Sequence, residues 1–131
     1  MGLKYVWDTN TVIYYLQNHF SVSQKKQMDD IINKYQPSIS VMTEIELLCW
    51  KNATENDLAL LNSFISECTV FGLDEDIKLK TIEIRKNSSL KLPDSIIAAT
   101  ALINNLVLIS RNSADFRKVA SLEFIDPFNL V

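Results

Sequence analysis

Short, apolar, β-prone segments alternate with helix-patterned segments along the whole chain, and this alternation limits its fold more than any other feature. The segments that read as strands are residues 3–7, 38–41, 69–71, 107–109 and 122–125. Helices are predicted between them, over residues 11–18, 23–34, 42–51, 55–67, 75–87, 94–104 and 113–119. Strands that alternate with helices predict an α/β layer fold with a parallel sheet.

Capping residues support several of these helix starts. Asn10 or Thr9 is expected to cap the first helix, Thr54 the fourth and Asp74 the fifth, because short polar side chains accept hydrogen bonds from first-turn amides. Pro93 suits a first helical position, where the missing amide hydrogen is not needed. The helix over residues 94–104 is apolar nearly all round, so it is expected to be buried.

Size and composition indicate one ordinary globular domain over residues 1–131. Hydrophobic residues make up 47% of the chain, enough for a core. No signal peptide is expected, since an acid occurs as early as Asp8, and no apolar stretch is long enough to span a membrane. Cys49, Cys68 and His19 are too few for a four-ligand zinc site, so we expect reduced thiols in a cytoplasmic protein.

Acidic residues from four separate stretches fall at the carboxyl ends of predicted strands or beside them. Asp8 follows the first strand, Glu44 and Glu46 follow the second, Asp115 follows the fourth, and Asp94 opens the helix leading to that strand. In an open parallel sheet these ends meet at one edge, where ligands bind. Gathered carboxylates repel one another unless a cation is present, and Mg²⁺ or Mn²⁺ prefers such oxygen ligands. Two such ions could bind the attacking water and the leaving oxygen in phosphodiester cleavage.

Each of these acids also has an ordinary structural role to weigh against this one. Asp8 and Asp94 are good helix caps, and Asp115 suits a surface turn. Glu44 and Glu46 lie about 200° apart around a helix, so only one of them can face a shared site. The common placement of the acids, rather than any single residue, favours the metal site.

Four segments resemble the PIN domain, and specifically the compact VapC-type toxins. They are VWDTN at residues 6–10, SVMTEIELL at 40–48, LPDSIIAATA at 92–101 and LISRNSADF at 108–116. The match runs over residues 5–128, nearly the whole chain. The third segment is the most specific of the four.

The resemblance implies a set of site residues. It implies that Asp8, Glu46 and Asp94 bind the metal, with Asp115 as the fourth acid. Glu46 is selected because the family's second acid falls three residues after the Thr at position 43. The fourth acid varies in the family, so Asn112 is an alternative there to Asp115. The residues that would support the site through hydroxyl or amide groups are Thr9, Asn10, Ser110 and Asn112.

The resemblance also implies a fold and an activity. The fold is three-layer α/β/α, with a parallel sheet of strand order 3-2-1-4-5. The activity is that of a Mg²⁺- or Mn²⁺-dependent endoribonuclease, the toxin of a toxin–antitoxin pair, which forms a homodimer and is held inactive by a cognate antitoxin. Transfer RNA is a frequent target in the family.

The distribution of charge is compatible with RNA binding, although the net charge is −3. Four of the 16 acidic residues belong to the predicted site, so the rest of the chain is not acidic overall. Eight basic residues occur between positions 78 and 118, at Lys78, Lys80, Arg85, Lys86, Lys91, Arg111, Arg117 and Lys118. Arg111 and Arg117 flank the last motif and are the preferred RNA contacts, whereas Lys78 and Lys80 are interpreted as solubilising charges.

Other functions remain as alternatives. The chain is either an active nuclease or a catalytically inactive PIN-like interaction protein. A receiver domain would need a Lys after the last strand, and residues 122–131 contain none. A phosphatase of the haloacid dehalogenase type would need a second Asp two positions after Asp8, where Asn10 stands.

Overall fold

The computed structural model describes residues 2–129. Its strands are β1 (Tyr5–Trp7), β2 (Ser38–Ser40), β3 (Thr69–Phe71), β4 (Val107–Ile109) and β5 (Phe124–Ile125). Its α-helices are α1 (Thr9–Leu16), α2 (Val22–Lys34), α3 (Val41–Leu48), α4 (Glu55–Glu67), α5 (Glu75–Asn87), α6 (Leu92–Ile103) and α7 (Ser113–Phe116). A 3₁₀ turn, Pro127–Asn129, follows β5.

The five strands form one parallel sheet in the order β3-β2-β1-β4-β5, which confirms the predicted topology. In the central pair, Val6 lies beside Leu108 and Trp7 beside Ile109. The chain first builds outward from β1 to β3 and then crosses to β4 on the other side of β1. The carboxyl ends of β1 and β4 therefore form the point at which the strand order reverses, where open α/β sheets bind their ligands.

Successive side chains on the strands point to opposite faces of the sheet, and each face is covered by helices. Val6 and Leu108 pack into a core with residues of α5, α6 and α7. Trp7 and Ile109, one position later on each strand, pack into a second core with residues of α1 to α4. The result is the expected three-layer α/β/α arrangement. The small residues Ala98, Ala99 and Ala101 on α6 are all fully buried in the first core.

The predicted caps of α4 and α5 are confirmed, but that of α1 was wrong. Thr54 and Asp74 accept hydrogen bonds from first-turn amides of their helices. The N-cap of α1 is Asp8 itself, rather than Thr9 or Asn10, and Thr9 is already helical. The helix begins earlier than expected because the carboxylate that ends β1 also accepts the Thr9 amide hydrogen.

Several element boundaries also differ from the predicted ones. α6 begins two residues early, so Pro93 occupies its second position and Lys91 is the N-cap, without a side-chain capping bond. α3 ends at Leu48 and α7 at Phe116, each three residues before the predicted end. Neither Cys49 nor Cys68 forms a disulfide. Within residues 2–129, no helix combines the length and apolar character needed to cross a bilayer.

Candidate active site

Asp8 lies at the centre of the carboxyl edge of the sheet, immediately after β1. Only 4% of its surface is exposed. Its Oδ1 accepts a hydrogen bond from the Thr9 amide at 2.8 Å, and its Oδ2 accepts one from the Ser110 hydroxyl at 2.6 Å. Ser110 follows β4, so the two central strands deliver an acid and its hydroxyl donor to the same place. Both carboxylate oxygens of Asp8 are thereby fixed in position.

Glu46, on α3, is joined to this centre through Thr9. The Thr9 hydroxyl donates to Glu46 Oε1 at 2.7 Å, and it also lies 3.1 Å from the hydroxyl of Thr43. A threonine hydroxyl has one hydrogen, and the shorter contact to the carboxylate uses that of Thr9. The Thr43 hydroxyl therefore donates to Thr9 Oγ1, and a two-step chain of hydroxyls leads to Glu46.

Asn112 links the third acid, Asp115, to the same network. Its backbone amide donates to Ser110 Oγ at 3.0 Å, and its side-chain amide donates to Asp115 Oδ2 at 2.9 Å. Asn112 is also the N-cap of α7, although its side chain makes no capping bond there. A continuous run of hydrogen bonds thus connects Glu46, Asp8 and Asp115, which lie far apart in the sequence.

Asp94, in the first turn of α6, lies near enough to Glu46 and Asp115 for their charges to act on it. Partial burial is the main reason why its pKa is raised, and the charges of Glu46 and Asp115 raise it further, while Lys91 opposes them. Burial also raises the pKa of Asp8, to about 6, against the lowering effect of its two hydrogen bonds. Asp94 and Glu46 add repulsion there. These mutual effects place all four predicted acids in one electrostatic environment.

A family model described as the PIN domain matches residues 5–122. The chain belongs to the PIN domain family. The match includes all four acids and every element from β1 to α7.

Relatives of this PIN domain are named as transfer-RNA nucleases. Two proteins named "tRNA(fMet)-specific endonuclease VapC", from Salmonella typhimurium and Shigella flexneri, are 27% and 26% identical to it. Each alignment covers 95% of this chain and 98% of the relative. The solved DNA-bound VapBC of Salmonella typhimurium superposes with a TM-score of 0.82, at 26% identity over 95% of this chain and 98% of that one.

A more distant structure supports the fold alone. VapBC2 from Rickettsia felis, bound to a promoter DNA fragment, has a TM-score of 0.80 at 19% identity, over 94% of this chain and 98% of that chain.

The acids of this PIN domain fit a divalent cation by chemistry, although they do not form a closed cage. In the part of the chain from residue 2 to 129, no three His, Cys, Asp or Glu side chains lie close enough together to hold an ion as they stand. Mg²⁺, however, commonly uses one or two carboxylates and retains several waters. All four candidate ligands are carboxylates, which Mg²⁺ and Mn²⁺ prefer as ligands, whereas softer metals prefer sulfur and nitrogen. The donor set therefore fits such an ion.

Two predicted supporting or binding residues lie outside this network. Within residues 2–129, the Asn10 side chain makes a single hydrogen-bond contact, at 3.2 Å with Thr11, whose hydroxyl donates to the Ile109 carbonyl at 2.9 Å. The Asn10 side chain therefore does not hydrogen-bond to any of the four acids. Arg117 is exposed, and its side chain forms no hydrogen bond or ion pair within residues 2–129.

Arg111, the other predicted RNA contact, is held against aromatic rings. Its guanidinium lies 4.5 Å from the centre of the Phe128 ring and 5.8 Å from that of Tyr14. Such stacking fixes the direction of an otherwise flexible cation beside the site.

Sequence reasoning missed three residues that act on the site, two by contact and one by its charge. It used Thr43 only to locate Glu46 and gave it no role, although its hydroxyl lies 3.1 Å from that of Thr9. It counted Lys91 and Lys118 only among the basic residues. Lys91 lowers the pKa of Asp94, and Lys118 Nζ lies 3.6 Å from Asp115 Oδ1. The spacing of Lys118, three residues after Asp115, was a usable signal, because it is a helical neighbour distance.

Proposed function

We propose that this protein is a metal-dependent endoribonuclease and the toxin of a toxin–antitoxin pair. The observation that carries the proposal is the hydrogen-bonded run from Glu46 through Asp8 to Asp115, with Asp94 near it. Acids that serve only as helix caps or as solvated surface charges do not require a network of this kind. Membership of the PIN family and relatives named as VapC endonucleases support the same activity.

In this proposal the four acids bind Mg²⁺ or Mn²⁺, and their neighbours fix them in place. A bound divalent ion would supply a water of lowered pKa and charge stabilisation at the cleaved phosphodiester. Ser110 and the Thr9 amide prevent Asp8 from rotating, and the Thr9 hydroxyl orients Glu46. Asn112 does the same for Asp115, which makes it a positioning residue rather than a replacement ligand.

We infer that the substrate is RNA, and transfer RNA is the first substrate to test. The names of the two VapC relatives specify a transfer RNA. Arg111, stacked on Phe128 beside the site, is suited to a phosphate or an unpaired base. Such a substrate implies that the protein works in the cytoplasm.

We infer that a cognate antitoxin covers part of this protein. The structural neighbours include the DNA-bound VapBC of Salmonella typhimurium and a toxin–antitoxin complex from Klebsiella pneumoniae. Ile45 and Leu48, each about half exposed, lie one turn apart on a face of α3 that is about 130° around the helix from Glu46, and they present apolar surface to a partner. Co-purification with the product of a neighbouring small reading frame, lost in the Leu48→Glu variant, tests this partner.

We infer homodimerisation from the resemblance and from a second apolar surface. Leu79 and Ile82 are adjacent on α5 and exposed by 54% and 45%. Their burial in a dimer would remove apolar area from water. Sedimentation of the purified chain should give a dimer, and Ile82→Glu should give a monomer.

The decisive experiment compares cleavage by the wild type and by Asp94→Asn. The wild type should cut transfer RNA in Mg²⁺ or Mn²⁺ and stop in EDTA. Asp94→Asn should lower the rate by about 100-fold or more, because several kcal/mol of charge stabilisation is lost. Asp76→Asn is the matched control, since Asp76 is also a first-turn acid, on α5, but lies outside the site. If Asp94→Asn cleaved like the control, the site assignment would be wrong.

A further inference from the structure

A cavity of about 190 Å³ lies outside the acid network, between α5, the end of α6 and the residues that follow α7. Its apolar wall and its polar rim are formed by different residue types. The wall includes Ile84, Leu102 and Val119, and the rim includes Lys80, Asn87 and Lys118. This volume is below the roughly 300–1,000 Å³ of sites for drug-sized ligands, so the cavity suits a smaller group.

Lys118 connects this cavity to the candidate active site. Its Nζ lies 3.6 Å from Asp115 Oδ1 and 3.3 Å from Ser89 Oγ, while the residue also lines the cavity. Leu102 lies eight residues after Asp94 on α6, about 12 Å along the helix axis. At about 3.4 Å per stacked nucleotide, that distance corresponds to a few nucleotides of a nucleic-acid strand.

The charge around the cavity favours an anionic ligand. Lys80 and Lys118 contribute two positive charges to the lining of the cavity. The Nζ of Lys118 is paired at 3.6 Å with Oδ1 of Asp115, and that of Lys80, at the rim, is paired at 3.1 Å with Oε2 of Glu83. Its side chain is 62% exposed, so this pair is solvated and easily rearranged. A basic rim around an apolar wall is the combination that binds a base and its phosphate.

We propose that this cavity binds one nucleotide of the RNA strand that flanks the cleavage position. The base lies against Ile84, Leu102 and Val119, and the adjoining phosphates contact Lys80 and Lys118. This inference rests on the proposed ribonuclease function and adds to it a binding position that is separate from the acids.

The faces of α5 allow this binding and a dimer contact to coexist. Lys80, Ile84 and Asn87 share one helix face at i, i+4 and i+7. The centre of the face formed by Leu79 and Ile82 lies about 140° away around the helix. Lys78 lies on nearly the opposite side from the cavity face. It is paired with Glu75 at 2.7 Å, much as Lys80 is paired with Glu83, and is therefore a matched control.

The first test measures binding of a fluorescent single-stranded RNA in EDTA, so that cleavage does not interfere. Lys80→Ala should weaken binding by about 3- to 10-fold and reduce the salt-dependence slope by about 0.7, the value for one lost single-strand phosphate contact. Lys78→Ala should match the wild type. Equal affinities for the two variants would overturn the proposal, as would a wild type that binds no RNA at low salt.

A second variant tests the apolar wall without removing a charge. Ala120 is exposed and lines the cavity, so Ala120→Leu should fill it while leaving the core unchanged. Its affinity for a long RNA should fall several-fold, at an unchanged melting temperature. Undiminished affinity would show that no base enters the cavity. Wild-type cleavage in Mn²⁺ is measured separately, so a failed cavity proposal and a failed nuclease proposal give different results.

Discussion

Ser110 donates its hydroxyl hydrogen to Asp8 across 102 positions of sequence, with Oγ 2.6 Å from Oδ2. The contact exists because β4 lies beside β1 in a parallel sheet, so the residues that follow the two strands meet. Both side chains are almost fully buried. The Ser110 oxygen also accepts the Asn112 amide hydrogen, so this residue joins two acids of the site.

We predict that Ser110→Ala weakens both the fold and the activity. The variant leaves Asp8 Oδ2 and the Asn112 amide without their partner, and an unpaired buried polar group costs about 1–3 kcal/mol. Thermal or urea unfolding should show this loss in EDTA. Ser113→Ala, a serine on the neighbouring helix α7, is the control and should unfold like the wild type. A stable Ser110→Ala protein would mean that water replaces the hydroxyl.

A second prediction concerns Thr43, which acts on Glu46 only through Thr9. Thr43→Val preserves shape but removes the hydroxyl, so Thr9 is no longer held for its 2.7 Å bond to Glu46. We expect kcat to fall by about tenfold with little change in KM, because the loss affects positioning rather than RNA binding. Thr43→Ser should restore most of the rate. If the Val and Ser variants were equally slow, packing rather than the hydroxyl would be responsible.

The helices and strands could be predicted from the sequence because their cues are local. Apolar runs such as residues 107–109 and the all-apolar face of α6 could be read directly, and the strand order came with the family resemblance. The predicted start of a helix was less accurate where one residue has two roles. Asp8 was treated as either a cap or a site acid, whereas it is the cap of α1 and the centre of the network.

The hydrogen bonds within the site could not be predicted in the same way. The pairing of Thr43 with Thr9 depends on the angle between α1 and α3, and the position of Lys118 depends on where α7 ends. Such relations arise from packing between elements, which composition and spacing do not encode. Asn10 illustrates the opposite error, because a polar residue next to the motif proved to lie outside the network.

We predict that metal-free stability decreases as pH rises through the titration of Asp8. Its pKa is about 6 in the folded protein, mainly because of burial, against an ordinary value of 3.8. The folded state therefore binds this proton more tightly than the unfolded chain, and the benefit is full below about pH 4 and lost above about pH 6. Asp8→Asn keeps a neutral side chain at every pH. In EDTA it should be more stable than the wild type at pH 7, by on the order of 2 kcal/mol.

The same variant should lose its advantage in acid, which gives the pH prediction an internal control. Near pH 4 the wild-type carboxyl is protonated in the folded state, so the two proteins should unfold at similar temperatures. Melting curves at several pH values in EDTA measure the difference directly. An advantage that stayed constant with pH would show that the amide improves packing or hydrogen bonding, and that the buried charge is not the cause.

The last prediction is that Mn²⁺ stabilises the wild-type fold by relieving the repulsion among the four acids. A ligand that binds only the folded state adds about 2.7 kcal/mol at one hundred times its dissociation constant, so the melting temperature should rise with Mn²⁺ concentration. Asp94→Asn removes a candidate ligand, and its shift should be much smaller. Glu44→Gln is the matched control, because Glu44 lies on α3 two residues before Glu46 but outside the hydrogen-bonded run. It should respond like the wild type. If Mn²⁺ shifted all three proteins equally, the ion would be binding elsewhere, and if it shifted Asp94→Asn but not Glu44→Gln, Glu44 would be the ligand instead.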